Sequence, residues 1–229
     1  MTDCLIIAVD GPAGSGKSSA ARGVARSLGL RYLDTGAMYR ALTWWMLSRG
    51  VPVSDPGAVA SHAQQPVLEV STDPGHPAVS ADGTDVTAQI RSREVSNAVS
   101  AVASVPEVRA RLVAMQQAII ARTCAEGAGI VAEGRDIGTV VAPDAPVKVY
   151  LTASESIRAE RRSADLAADP VVTVALTQAE QQRRDRADAA QMAKAPDAVL
   201  IDSSALNLDE VISVIEGLAR GRADAAWSR

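Results

Sequence analysis

Eight residues, Gly11-Pro12-Ala13-Gly14-Ser15-Gly16-Lys17-Ser18, follow an apolar run, Leu5-Ile6-Ile7-Ala8-Val9-Asp10, in the form G-x-x-x-x-G-K-S. Glycines let such a backbone turn its N–H groups inward toward phosphate oxygens, and a helix starting near Lys17 adds the positive end of its dipole. Lys17 suits the β- and γ-phosphates of a nucleoside triphosphate as a point charge. The Ser18 hydroxyl suits the magnesium ion that bridges them. From average composition the pattern arises by chance in roughly one chain in a hundred of this length. The strand ahead of it therefore favours a triphosphate site over a plain glycine-rich turn, and Ser19 is included with the eight loop residues as nucleotide-binding.

Two further segments bring polar side chains to the ends of short apolar runs. They are Leu33-Asp34-Thr35-Gly36-Ala37-Met38-Tyr39-Arg40 and Glu133-Gly134-Arg135-Asp136-Ile137-Gly138-Thr139. Two arginine clusters come later. Arg158, Arg161 and Arg162 follow a capping-box pattern Thr152-Ala-Ser-Glu155, and Arg183, Arg184 and Arg186 follow a second, Thr177-Gln-Ala-Glu180, with Pro170 between as a breaker. An arginine-rich helical hairpin in a phosphate-handling chain reads as a lid over the triphosphate.

The elements that must position these groups are five apolar runs at 5–10, 31–33, 130–133, 148–151 and 198–201, with helical patterns between them. That alternation predicts an α/β fold with a parallel sheet, whose ligands collect beyond the carboxyl ends of the strands. The segment 36–49 reads as a helix closed by Gly50 and Pro52, with Arg40 facing the crevice. From 52 to 95 the texture changes to Pro, Gly, Asp and alternating residues, which predicts a small antiparallel insert with turns at Asp73-Pro74-Gly75 and Asp82-Gly83. A helix over 106–123, apolar at Val108, Leu112, Met115 and Ile119, returns the chain to the sheet. The segment 220–229 reads as a frayed tail.

Composition sets outer limits. The 229 residues are 47% hydrophobic, enough for one substantial core with one or two small inserted subdomains. Phe is absent, so the core must use Val, Ile, Leu and Ala, with Trp44-Trp45 at core and rim. A net charge of −4 argues against a nucleic-acid or anionic-membrane surface. Cys4 and Cys124 form no C-x-x-C pair and are expected to be reduced thiols, not a zinc site or disulfide frame. His62 and His76 lie in the insert with no carboxylate or Cys at ligand spacing. No apolar run approaches a span of ~20 residues, and no cationic leader precedes the first strand; the expectation is a cytoplasmic monomer.

The guanine-reading N-K-x-D cannot exist, since the only asparagines are Asn97 and Asn207. The run at 148–151 ends in Thr152, without the acid a motor ATPase needs. A small-molecule kinase remains, with a nucleotide-binding regulator as the alternative from another class. The D-[ST]-G-x-x-Y-R and E-G-R-D-I-G-T segments, in this order behind the phosphate loop and with residues 96–109 and the Arg184/Asp188 pair, resemble the cytidylate kinase branch of the nucleoside monophosphate kinase family over nearly the whole chain. The nearest rivals on this architecture are kinases of UMP, AMP or shikimate.

The resemblance implies a P-loop kinase fold: a five-stranded parallel sheet flanked by helices, a small antiparallel NMP-binding insert and a helical lid. It implies core segments 1–38, 96–153 and 192–229, an NMP-binding region 39–95 and a lid 154–191. It further implies ATP with Mg2+ as donor and CMP or dCMP as acceptor. Lys17, Arg135 and Arg184 are the implied catalytic residues, and Arg158 is an implied nucleotide contact. Arg40 and Arg135 would hold the acceptor phosphate. Thr35, Arg109 and Asp136 would read the cytosine edge, with Asp34 beside them. Ser100, Arg184 and Asp188 would meet the sugar. The lid departs from the family pattern: Asp188-Ala-Ala-Gln191-Met192-Ala-Lys194 stands where another Arg and a Pro-Leu pair are expected. Either Arg183, Arg186 or Lys194 supplies the missing charge, or turnover is reduced.

Overall fold

The computed structural model describes residues 4–165 and 174–227; Pro170 lies outside them. Five strands, β1 (Ile6–Asp10), β2 (Arg31–Asp34), β6 (Ile130–Gly134), β7 (Val147–Thr152) and β8 (Val199–Asp202), form a parallel sheet in the order β2-β6-β1-β7-β8. The predicted runs differ from these by at most a residue or two at each end. Both faces are covered, which is why the strands read as nearly unbroken apolar runs. Ile7, Val9 and Val131 pack beneath α1 (Lys17–Ser27) and α8 (Leu208–Trp227). Ala8, Leu33 and Ala132 pack against α2 (Thr35–Ser48) and α5 (Pro106–Ala125) on the other side.

The insert carries the expected antiparallel sheet, β3 (Leu68–Val70), β4 (Val79–Ala81) and β5 (Thr84–Asp85). It also carries a helix the texture did not suggest, α3 (Pro56–His62), which starts because Asp55 accepts from the Gly57 amide and Pro56 occupies the first turn. The helix α4 (Arg93–Ala103) begins at a Ser92 cap. Asp82 ties the insert to α2: one oxygen accepts from the Val67 amide and the other from Trp45 Nε1 at 2.6 Å and Arg49 at 3.0 Å. Trp45 is buried and Trp44 partly so, matching the core-and-rim reading. The tip of the β3–β4 hairpin docks on the main body, where Tyr32 donates its amide to Thr72 and Arg26 donates to Pro74.

The hairpin of α6 (Glu155–Asp165) and α7 (Val174–Asp188) lies over the phosphate loop. Its start signals differ from the sequence reading. Thr152 belongs to β7, and Ser154 accepts from the Ile157 amide in its place. Thr177 sits within α7, since the helix begins three residues earlier, and Glu180 pairs with Arg93 instead of capping. Residues 220–227 are not frayed, because α8 continues to Trp227. His76 does have a carboxylate partner, Asp73, 3.1 Å away on an exposed turn.

The clearest correction concerns the cysteines. The start of β1 and the end of α5 meet at the base of the sheet, and Cys4 and Cys124 form a disulfide with their Cα atoms 5.3 Å apart. Their 120-residue separation hid this proximity. Closing so long a loop restricts the unfolded chain, so reduction is expected to cost about 2–4 kcal/mol. Denaturant melts of the oxidised protein with and without dithiothreitol should separate by that amount, and the Cys4→Ser variant should not respond to reductant. Superimposed melts would contradict this.

Candidate active site

The turn after β1 is shaped by close approaches. At Gly11 a Cβ would run into the Leu151 carbonyl, and at Gly14, with φ of 76°, it would meet Gln181 and Arg158 of the α6–α7 hairpin. Only glycine fits both places. Cationic side chains receive the carbonyls of this loop. Arg135 donates to Gly11 O at 3.0 Å, Lys17 to Pro12 O at 3.4 Å, Arg158 to Ala13 O at 3.1 Å and Arg161 to Ser15 O at 3.4 Å. Arg135 follows β6 and Arg158 and Arg161 lie one turn apart on α6, so the loop is fixed by tertiary contacts as well as by its glycines.

Asp10, buried at the end of β1, accepts from the amides of Ile137 and Gly138, both at 2.8 Å. This caps the short π-helical turn Ile137–Val141 and aims the preceding Arg135-Asp136 pair into the crevice. Burial pushes the Asp10 carboxyl up, while the two amide bonds oppose that rise. On β2, Asp34 caps α2 through the Ala37 amide and also holds Arg40 at 3.2 Å. Thr35 donates to Glu133 O at 2.7 Å. Arg109 reaches from the first turn of α5 to Asp136. Burial works against the Arg109 charge, yet the hydrogen bond and negative charge of Asp136 outweigh it and the guanidinium stays protonated.

These groups surround one cavity of about 480 Å³, in the range of ligand sites. Of the expected residues, Ala13, Gly14, Gly16, Lys17, Ser18, Ser19, Asp34, Thr35, Arg40, Ser100, Arg109, Arg135, Asp136, Arg184 and Asp188 line it. Gly11, Pro12, Ser15 and Arg158 stand behind the lining. Seven cationic side chains against four acidic ones face the cavity, although the whole chain is acidic. Ser100 Oγ and Arg40 Nε are buried with no hydrogen-bond partner among the described residues, leaving capacity for a ligand. Gln191 lines the cavity at the departed lid position, whereas Arg183, Arg186 and Lys194 do not. Lys194 is instead bound to the carbonyls of Ala195 and Ala198, which corrects the idea that it supplies the missing charge.

Three groups take roles that the sequence pattern did not assign to them. Glu133, at the end of β6 beside β1, is a buried acid at a strand end, where β7 offers only Thr152. Tyr32 donates to it at 2.7 Å, and the neighbouring Ser18 hydroxyl favours its charged form. Burial, then the neighbouring Asp34 charge, raises its pKa, against the pull of Lys17. Asp185 is the second, accepting from Arg158 at 2.6 Å and lying 3.9 Å from Arg135. Arg161 is the third, fixed by Ser203 on both its oxygens. Asp188 pairs with Arg135 at 3.1 Å. For Glu133 the signal was present, because it ends an apolar strand; the other two depend on contacts across the fold.

Lys17 is half-buried in the cavity lining, and desolvation there, followed by the Arg135 charge, lowers its pKa from 10.5 to about 8. Holding it protonated costs stability below that value, and the cost is relieved as pH rises from about 8 toward the unfolded value. A bound polyphosphate favours the cation again. Binding of inorganic tripolyphosphate near pH 8.5 should therefore take up about one proton more than at pH 6.5. Calorimetry in buffers of different ionisation enthalpy measures this, and equal uptake at both pH values would contradict it.

The cytidylate kinase family model matches residues 7–220. A cytidylate kinase from Streptomyces avermitilis is 50% identical over 215 residues, covering 92% of this chain and 90% of that protein. One from Mycobacterium leprae is 45% identical over 233 residues, covering 99% and 100%. Among solved structures, a gluconokinase from Sinorhizobium meliloti superposes with a TM-score of 0.50 at 19% identity, covering 98% of this chain and 97% of that one. It shares the fold alone. With the family model spanning both motif segments and the phosphate loop, and with relatives this similar over their full length, the chain belongs to the cytidylate kinase family of ATP-dependent nucleoside monophosphate kinases.

Proposed function

We propose that this cytidylate kinase moves the γ-phosphoryl group of ATP directly onto the phosphate of CMP or dCMP within the single cavity just described, giving ADP and CDP or dCDP. The observation that carries the reading is that one cavity is lined by both chemistries. Lys17 and Ser18 line it together with Arg40, Arg109, Arg135 and Asp136. The nucleophile is a phosphate oxygen whose second pKa near 6 leaves it mostly ionised at neutral pH, so no general base is required. Catalysis then rests on position and charge. Lys17 compensates the spreading negative charge of in-line transfer, and Arg135 and Arg184 neutralise it from the acceptor and lid sides. A planar guanidinium suits the acceptor phosphate at Arg40 and Arg135. Arg109 as donor and Asp136 as acceptor match the carbonyl and amino groups of cytosine, whereas uracil offers a carbonyl in place of the amino group. Ser100, Arg184 and Asp188 are assigned to the sugar, and Arg158 holds the phosphate loop from behind.

The donor set suits Mg2+: the Ser18 hydroxyl, buried Glu133 and Asp34 all line the cavity, and all offer hard oxygens. Among the described residues, no group of three or more His, Cys, Asp or Glu could hold a metal ion. Ser18 would hold the ion, directly or with Glu133 behind it, and the bound ion supplies neutralisation of the phosphate charge. The working division is a core of 1–38, 96–153 and 192–229, an acceptor region of 39–95 and a lid of 154–191, in a monomer of the cytoplasm. Among the described residues, no helix is long and apolar enough to cross a membrane.

ADP release should be rapid with CMP and dCMP and at least tenfold slower with UMP, AMP or no acceptor. Acceptor-independent release would overturn the transfer reading. Replacing Arg109 by Gln leaves Asp136 without its charged partner, and kcat/KM for CMP should fall by about 2–3 kcal/mol, roughly a hundredfold, with KM for ATP unchanged. Equal losses toward both nucleotides would contradict the assignment.

A further inference from the structure

The helices α4 and α7 run against each other along one edge of the cavity. Each shows two rows of polar side chains at helical spacing. The row toward the cavity consists of Ser96 and Ser100 on α4 and of Arg184 and Asp188 on α7. The row on the other side joins the helices directly. Arg93 donates through both Nε, at 2.9 Å, and Nη2, at 2.7 Å, to the same oxygen of Glu180. One turn further along α4, Asn97 Oδ1 accepts from Arg183 Nη2 at 3.2 Å. Arg93 and Glu180 are 35% and 21% exposed, so the pair is partly shielded from screening solvent yet lies outside the cavity lining.

We propose that Arg93 and Glu180 are positioning residues for the known reaction: their pair locks the lid helix α7 onto α4 and thereby sets the spacing between the two walls of the acceptor's sugar site. The inference rests on the assignment of α4 and α7 as those walls. It explains why neither Arg183 nor Glu180 faces the cavity although both lie on the arginine-bearing helix. It also gives the lid a fastening point that touches neither nucleotide. Because α4 follows the insert directly while α7 leads into β8, the pair ties the acceptor side of the molecule to the lid without passing through the phosphate loop. A lid held in this way excludes water from the transferring phosphoryl group.

Charge reversal tests the pair. Arg93→Glu and Glu180→Arg each set like charges opposite one another, whereas the double variant restores attraction. Each single variant should raise the Kd of CMP, titrated into the full chain without ATP, by at least fivefold. Each should also raise the fraction of ATP lost to water in the presence of CMP by at least threefold. The double variant should return within twofold of the wild type in both. Arg93→Gln, a milder change on a surface position, keeps the test available should a reversal not fold, and should raise the CMP Kd at least twofold. Single variants that bind CMP like the wild type, or a double variant as poor as the singles, would overturn the proposal. Should the wild type itself bind no CMP, the assignment of the sugar walls fails with it, which separates that failure from a failure of the pair alone.

Discussion

A backbone loop that turns its amides toward one point must turn its carbonyls away from it, and every buried carbonyl then needs a donor. In this chain the requirement falls on residues Gly11, Pro12, Ala13 and Ser15, and it is met by Arg135, Lys17, Arg158 and Arg161. The consequence reaches well beyond the loop. The segment after β6, the helix α6 and the first turn of α1 all meet at these carbonyls. The phosphate site therefore acts as the common support from which the other functional elements are placed.

Electrostatic balance follows from that arrangement. Gathering cations around a loop intended for anions would destabilise the empty site. Acidic groups counter this at several distances: Asp34 on Arg40, Asp136 on Arg109, Asp188 on Arg135 and Asp185 on Arg158. Burial nonetheless lowers the pKa of Lys17, so the site favours an incoming phosphate over solvent. Asp10 contributes differently, since its two amide bonds fix the Arg135-Asp136 turn without facing the cavity.

Much of this was legible in the sequence because the informative features are local. A phosphate loop between strand and helix, and two motifs at strand ends, are each read within ten residues, and parallel topology then brings strand ends together. What escaped depends on partners distant in the chain. Cys4 and Cys124 carry no sign that β1 and α5 meet at the base. Thr177 and Glu180 fit a cap pattern, but the helix starts earlier and Glu180 is drawn to Arg93 on the neighbouring helix α4. Lys194 had the right charge for the altered lid and the wrong direction, being held by carbonyls of its own segment. Glu133 was visible as the end of a strand, but its place on β6 beside β1 depends on the order of the sheet.

The central claim is that donor and acceptor phosphates meet in one cavity, between the loop and the arginines after β2, β6 and α4. The most direct test is a crystal structure with CMP and a non-hydrolysable ATP analogue bound together. The account predicts the terminal phosphate of the analogue beside Lys17, and the CMP phosphate within hydrogen-bond reach of Arg40 and Arg135, with its base at Arg109 and Asp136. A CMP molecule bound elsewhere, or a terminal phosphate pointing away from the acceptor, would contradict it.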